Sequence, residues 1–329
     1  MSLSLIIVLL LTLGAEFANG LTDAPNAIAT VVSTRVLTPL RAVFMAAVMN
    51  ILGVIATGTA VAATIGTGIV RPEAIGLYTV AATLLTIITW TTLAWRLGLP
   101  TSETHEMLAG LAGAGLASAG ASVLLWAGWR KVLIGLGMST VLGFGFGIIL
   151  MNLIYLIFSR ASSRSMRRNF GRLQIVSAAF MAFSHGSNDG QKFMGIFSLA
   201  LVLGGILPEF TVPLWVILLC GLVMGVGTML GGWRIIKTMG FKITRLEPVH
   251  GFAAESSASL AILLASSFGI PISTTHTINT AIVGVGSTRR FSAVRWGTTR
   301  QIVMTWLLTF PACAILGYIY ALLLKPVLG

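Results

Sequence analysis

Residues 17–23 read Phe17-Ala-Asn-Gly-Leu-Thr-Asp23, and residues 183–189 read Phe183-Ser-His-Gly-Ser-Asn-Asp189. Each stretch lies inside an apolar run too long for one ordinary membrane span, Leu3–Thr34 in the first case and Leu173–Leu207 in the second. A second pair recurs in the same order, Pro100-Thr-Ser-Glu-Thr-His105 and Pro271-Ile-Ser-Thr-Thr-His276. The Asp-to-Pro separations, 77 and 82 residues, are nearly equal, so the chain carries a weak internal repeat. Repeats with an odd number of spans enter the membrane from opposite sides, which is a transporter architecture.

The remaining apolar runs fill in the two halves. Ala42–Ile65, Ala74–Ala94, Met107–Leu125 and Val132–Phe158 follow the first long run. Leu214–Trp233, Gly251–Phe268, Ile272–Val285 and Ile302–Leu324 follow the second. The expected fold is an all-α polytopic membrane protein, an inverted repeat of two five-span halves with broken and re-entrant helices. Residues 1–159 form the first repeat and residues 173–329 the second. Between them, residues 160–172 are expected as a basic cytoplasmic loop holding Arg160, Arg164, Arg167, Arg168 and Arg172 and no acid.

Composition agrees. Of 329 residues, 56% are hydrophobic and 9% charged, against roughly 25% charged in soluble domains. Mean hydropathy is +0.95. Such a chain is neither disordered nor a water-soluble enzyme. Spans of about 20 residues nearly use up its length, and its 37 glycines suit close helix packing in lipid. The net charge of +12 does not indicate nucleic acid, because the bases sit in gaps between apolar runs. With the 160–172 segment inside, sixteen bases fall on the cytoplasmic side and four on the other, Arg71, Arg130, Lys131 and Lys325. This bias places both termini outside, in a multi-pass protein of the inner (plasma) membrane. Leu3–Ala18 lacks the basic start of a signal peptide and reads as part of the first span. Cys220 and Cys313 lie in apolar runs and read as packing residues. Trp95, Trp126, Trp129 and Trp296 near run ends read as interface anchors. There is no Walker loop, G-x-S-x-G, C-x-x-C or complete H-E-x-x-H, and an intramembrane enzyme built on Asp23 and Asp189 lacks partner motifs.

A carboxylate inside the membrane is expensive and points to function. Asp23 is flanked by Asn19-Gly20 and Pro25-Asn26, and Asp189 by His185-Gly186, Asn188 and Gly190. A helix of about 32 residues would be near 48 Å long, more than a hydrocarbon core of roughly 30 Å. A break at each Asp is therefore expected, exposing carbonyls that with Asp and Asn oxygens suit a small hard cation such as Na+. The Pro-x-Ser segments are helix starts, with Pro early and Ser or Thr capping. Such an N-terminus binds oxyanions, and Ser102, Thr104, Ser273, Thr274 and Thr275 offer hydroxyls for one. Of the nine acids, Asp23, Asp189, Glu103 and Glu255 lie in or against apolar runs.

Four segments together, Asn19–Thr30, Leu99–His105, Phe183–Lys192 and Gly251–Glu255 with Ile270–His276, resemble the signature segments of the PiT family of inorganic phosphate transporters, bacterial low-affinity type. The resemblance runs over nearly the whole chain. It implies a secondary active symporter importing phosphate with Na+ or H+, without any other cofactor, in which two short helices hold the anion. Carried over by position, Ser102, Thr104, Ser273, Thr274 and Thr275 contact phosphate. Asp23, Asn26, Asn188 and Asp189 serve the coupling cation, and Glu255 matches a carboxylate associated with transport. Two departures stand out. Glu103 replaces a small hydroxyl residue, and Asn50 lies in a region that carries a carboxylate in some members. Beside an anion, Glu103 is expected either to be protonated or to accept a hydrogen bond from a protonated phosphate oxygen, which sulfate lacks at neutral pH. Glu106 is expected to complement the helix dipole. Lys192, three residues after Asp189, is expected to balance its charge. His105 and His276 read equally as caps, pH sensors or filling, and His185 and His250 as structural. Expected partners are phosphate and the bilayer, not nucleic acid, with a homodimer left open. The rival substrate is sulfate or another tetrahedral oxyanion, and the rival class an uncoupled channel or receptor.

Overall fold

The computed structural model describes residues 2–328. Its helices are α1 (Leu3–Ser33), α2 (Pro39–Ala56), α3 (Ala60–Gly68), α4 (Leu77–Leu97), α5 (Glu103–Ala119) and α6 (Trp126–Ile157) in the first half. The second half has α7 (Ser163–Leu203), α8 (Leu214–Leu230), α9 (Trp233–Lys237), α10 (Pro248–Ser267), α11 (Thr274–Arg289) and α12 (Trp296–Leu328). A π-helical turn, Thr238–Lys242, prolongs α9. Each half thus runs long, interrupted, long, short, long. The interruptions fall at residues 57–59 between α2 and α3 and at Gly231–Gly232 between α8 and α9, where the axis bends by 60° and Gly231 takes φ +63°.

The halves interlock. α5 packs chiefly on α12 and α11 on α6, while α1 packs on α8 and α2 on α7. Bulky apolar side chains on the outside, such as Val141, Ile149, Leu307 and Ile315, are exposed, as a chain dissolved in hydrocarbon requires. Among the described residues, six helices are long and apolar enough to cross a membrane, or seven if α8 and the bent segment after it count as one span. α7 has the length, but its arginines and central polar residues dilute its apolar character. α5 and α11, with 17 and 16 residues, reach only about 25 Å. Extended stretches lead into both at buried positions. The far end of α5 returns to the start of the α4 side, where the Arg71 N–H donates to Val123 O at 2.9 Å and the Leu125 N–H to Ile69 O at 3.0 Å. The far end of α11 returns to the start of α10, where Arg295 N–H donates to Ile243 O at 2.9 Å and Arg289 lies 4.0 Å from Glu247. The fivefold path of each half stands, with its fourth passage only partly helical.

Two expectations need correction. Residues 160–172 are mostly not a loop, because α7 begins at Ser163, capped by the Ser162 hydroxyl, and carries Arg164, Arg167, Arg168 and Arg172 on its first turns. The excess length of this run extends a 41-residue helix along the basic segment. Nor are α1 and α7 broken at their aspartates; both run through as continuous helix. The glycines beside the aspartates are contact points rather than breaks. A Cβ on Gly20 would meet Met224 O at 2.2 Å, and one on Gly186 would meet Asn50 O at 2.2 Å. Side chains from other helices, described below, supply the oxygens and donors that broken backbone was expected to offer.

Gly186→Ala is expected to push α2 from α7 and destabilise the fold by about 1–3 kcal/mol, the usual cost of overpacking. Gly145→Ala, where nothing lies within 4 Å of the added carbon, should be neutral. Thermal unfolding of the two variants in detergent checks the contrast.

Candidate functional site

Both short helices start at the same place. Ser102 caps α5 by accepting from the His105 N–H at 3.4 Å, and Ser273 caps α11 by accepting from the His276 N–H at 3.2 Å. The two N-termini meet through their histidines, whose rings pack edge to face with centroids 4.5 Å apart. His276 also stacks on Trp306 at 3.7 Å, and the Trp306 indole donates to Pro100 O at 3.0 Å. Thr104 of α5 donates to Ile272 O, the residue just before the α11 cap, at 3.2 Å. Two helix N-termini from opposite repeats therefore converge, each with the positive end of its dipole inward.

The two aspartates lie against this junction. Thr275 donates to Asp23 at 3.2 Å, and Thr274 to Asp189 at 3.0 Å. Asn26 donates to Thr275 at 3.0 Å and to Thr274 at 3.4 Å. Lys192 lies 2.5 Å from Asp189 and also donates to Thr104 at 2.7 Å and Ile272 O at 3.2 Å. His185 Nε2 lies 3.4 Å from Asp189 and 3.8 Å from Asp23, so it bridges the pair. Its other nitrogen faces Asn50 Oδ1 at 3.2 Å, and the Asn50 amide donates to Thr228 at 2.9 Å. One atom each from Asp23, His185 and Asp189 lie within 4.8 Å of one another, close enough for a single cation. All these residues are buried, and Lys192 is the one lysine or arginine buried among the described residues.

Asp23, Asn26, Asp189, Thr104, Thr274 and Thr275 thus form one cluster, with Lys192 paired to Asp189 as its spacing suggested. The Ser102 and Ser273 hydroxyls flank it as caps. Glu103 adjoins through Thr22, which donates to one carboxylate oxygen at 2.9 Å, while the other oxygen is buried without a partner. Asn188 points elsewhere, donating to Ser266 of α10 at 2.7 Å. Glu255 is also apart. It accepts from Thr30 at 2.5 Å, from Gln174 at 3.1 Å and from Ser177, closing a cluster between α1, α7 and α10. Glu106 is buried and bonded to Thr91 of α4, so more than the dipole holds it. His250 bonds the backbone of Glu247 and the Tyr155 hydroxyl. His185, read from the sequence as structural, carries an i, i+4 relation to Asp189 that was legible. One residue was passed over. Glu16, fully buried in α1, was lost in its apolar run although it stands seven residues, two turns, before Asp23.

Removing one partner of a buried ion pair leaves a stranded charge, at a cost of about 3–5 kcal/mol. Lys192→Met should therefore lower the unfolding temperature sharply, and Asp189→Asn added to it should restore most of the loss. Calorimetry or a thermal-shift series on the two single variants and the double variant measures the coupling.

The chain has counterparts among known proteins. A model of the phosphate transporter family matches the chain twice, over residues 19–168 and 158–317, one match for each repeat. A protein of Rhizobium meliloti (strain 1021) named "Probable low-affinity inorganic phosphate transporter" is 45% identical over 303 residues, covering 92% of this chain and 91% of that one. A Bacillus subtilis (strain 168) protein of the same name is 40% identical over 317 residues, 95% of each. A solved structure titled "The sodium-dependent phosphate transporter" superposes with a TM-score of 0.90 at 26% identity, covering 99% of this chain and all of that one. With two consecutive family matches on two interlocked repeats, and relatives of this identity over nearly full length, the chain belongs to the phosphate transporter family.

Proposed function

We propose that this protein is a secondary active symporter that imports inorganic phosphate with a cation, Na+ or H+, and that the Asp23/Asp189 cluster joins the two. The observation that carries the reading is the convergence of two helix N-termini on a pair of buried aspartates whose partners are the threonines of those same N-termini. Thr274 and Thr275 donate to the aspartates, and Lys192 holds Asp189 and Thr104 together. A cation on Asp23 and Asp189 satisfies their charge and frees these hydroxyls and the lysine to turn to an anion. Phosphate then gains donors only when the cation is present, which is the essence of symport. Cation and anion compensate one another, so the loaded site tolerates burial that a lone charge resists.

The ten-passage inverted repeat supplies the moving parts, one bundle rocking against the other around a fixed central site. Sodium is supported by the likeness to the sodium-dependent transporter and by the cation-sized spacing of Asp23, His185 and Asp189. The amide at Asn50, bonded to His185 and Thr228, stands where the family resemblance gives some members a carboxylate, and it keeps the proton in play. The basic first turns of α7 belong on the cytoplasmic side, with both termini outside, in the plasma (inner) membrane. Asn188 and Glu255, expected on the cation, are held apart from the pair, Asn188 by Ser266 and Glu255 by Thr30, Gln174 and Ser177. A pocket lined in part by Thr57, Ser187, Gln191 and Ser266 lies beside Asn188.

Uptake of labelled phosphate into proteoliposomes under an imposed Na+ or H+ gradient tests the proposal. Uphill accumulation should follow one gradient and collapse with its ionophore. Asp23→Asn and Asp189→Asn should each lower it at least about tenfold, the scale at which site coupling operates. Retained uphill uptake in both variants would overturn the site assignment.

Selectivity has its own test. The unpartnered oxygen of Glu103 is an acceptor suited to a protonated phosphate oxygen, and two facing acceptors would repel sulfate. Glu103→Gln should therefore let sulfate compete with phosphate uptake where the native protein excludes it. Unchanged sulfate exclusion together with an unchanged pH profile removes this role.

A further inference from the structure

Thr12, Glu16, Asn19, Asp23, Asn26 and Thr30 follow one another in α1 at spacings of four and three, so they line one face of the helix. All six are buried. Thr12 donates to its own backbone at Val8 O, 2.8 Å away. Asp23, Asn26 and Thr30 bond to other helices as described above. Glu16 and Asn19 are different. Both oxygens of the Glu16 carboxylate, and both the oxygen and the nitrogen of the Asn19 amide, are buried without a hydrogen-bond partner among the described residues.

Glu16 stands about 10 Å along the helix from Asp23, toward the start of α1. Glu255, the other remote carboxylate, is reached by an equal step in the opposite direction, at Thr30. Glu255 accepts from Thr30, Gln174 and Ser177, whereas Glu16 has no donor. The charged groups near Glu16 are Asp189 and Lys192 of α7, and its titratable neighbour on α8 is Cys220. On the α4 side the packing around Ala15 is apolar, with Leu84 and Ile87. Lys192 is already held by Asp189, Thr104 and Ile272 O. Among the described residues no buried lysine or arginine is left for Glu16. A carboxylate without partner or counterion is not tenable at that depth, so its resting form carries either a proton or a metal cation.

We propose that Glu16, with Asn19, is a loading station for the coupling cation, separate from the Asp23/Asp189 cluster and in line with it along α1. The ligand class is a hard monovalent cation, H+ or Na+. A proton converts the carboxylate to a neutral acid. Na+ takes the carboxylate oxygens together with the Asn19 amide oxygen. The cation reaches Asp23 along the same helix face, two turns further on. The proposal rests on the symporter reading for its purpose, and on the buried, unpartnered oxygens for its existence.

The test uses the full-length purified protein and two binding readouts that do not require transport. Radioactive Na+ binding should lose one site in Glu16→Gln if the occupant is Na+. Infrared difference spectra should lose a pH-dependent carboxylic-acid band in Glu16→Gln if the occupant is H+, and Glu16→Asp should retain that band. Unfolding temperatures of both variants show that they fold. In proteoliposomes, Glu16→Gln should raise the external cation concentration needed for half-maximal uptake about tenfold. A native protein that shows the cation signal but no cation-driven phosphate uptake would sink the symporter reading and leave the site standing. Unchanged Na+ binding together with an unchanged infrared band in a folded Glu16→Gln would overturn the site.

Discussion

Buried negative charge is the constraint on which the rest of the structure depends. Six of the nine acids, Glu16, Asp23, Glu103, Glu106, Asp189 and Glu255, are buried, and they share a single buried lysine. In a medium that solvates ions poorly, each carboxylate must find donors or a counter-charge. The helices are arranged to supply them to five of the six, Glu16 being the exception. Threonines at the start of α11 reach Asp23 and Asp189, Lys192 turns back along its own helix, and Thr30 with Gln174 and Ser177 surrounds Glu255. The glycines that let α1 touch α8 and α7 touch α2 at backbone distance bring these groups within reach. Close packing and charge satisfaction are one problem here.

Much of this was legible in the chain because it is local. The Pro-x-Ser segments placed two helix starts, and Ser102 and Ser273 are the caps. Lys192 at three residues from Asp189 announced an ion pair. The recurrence of two motifs in order announced the repeat. What escaped was set by partners far along the chain. Gly20 and Gly186 looked like helix breakers until Met224 and Asn50 were seen against them. Glu255 finds its donors in residues 78 to 225 positions away, which hold it apart from the aspartates. No periodicity encodes such pairings.

The repeats are alike in path and unlike in chemistry. Where α11 begins with Thr274, α5 begins with Glu103, so one N-terminus offers a donor and the other an acceptor. Asp189 has a lysine one turn on, and the matching position after Asp23 is Asn26. Pseudo-symmetry lets the two halves exchange roles geometrically, while these differences decide which charges sit on which side of the centre.

The contacts of Thr274, Thr275 and Lys192 have a consequence for the unloaded protein. A carrier must make a return trip without cargo, and an empty site lined with bare carboxylates would stall in the membrane. Lys192 pairs with Asp189, and Thr274 and Thr275 donate to Asp189 and Asp23, so on the proposed reading the side chains that would turn to phosphate can also neutralise and hydrogen-bond the aspartates without it. The same side chains that favour loading therefore set the height of the barrier to resetting. Strengthening the grip on the empty aspartates would quicken the homeward stroke and weaken cargo capture, so turnover and affinity are opposed through three side chains.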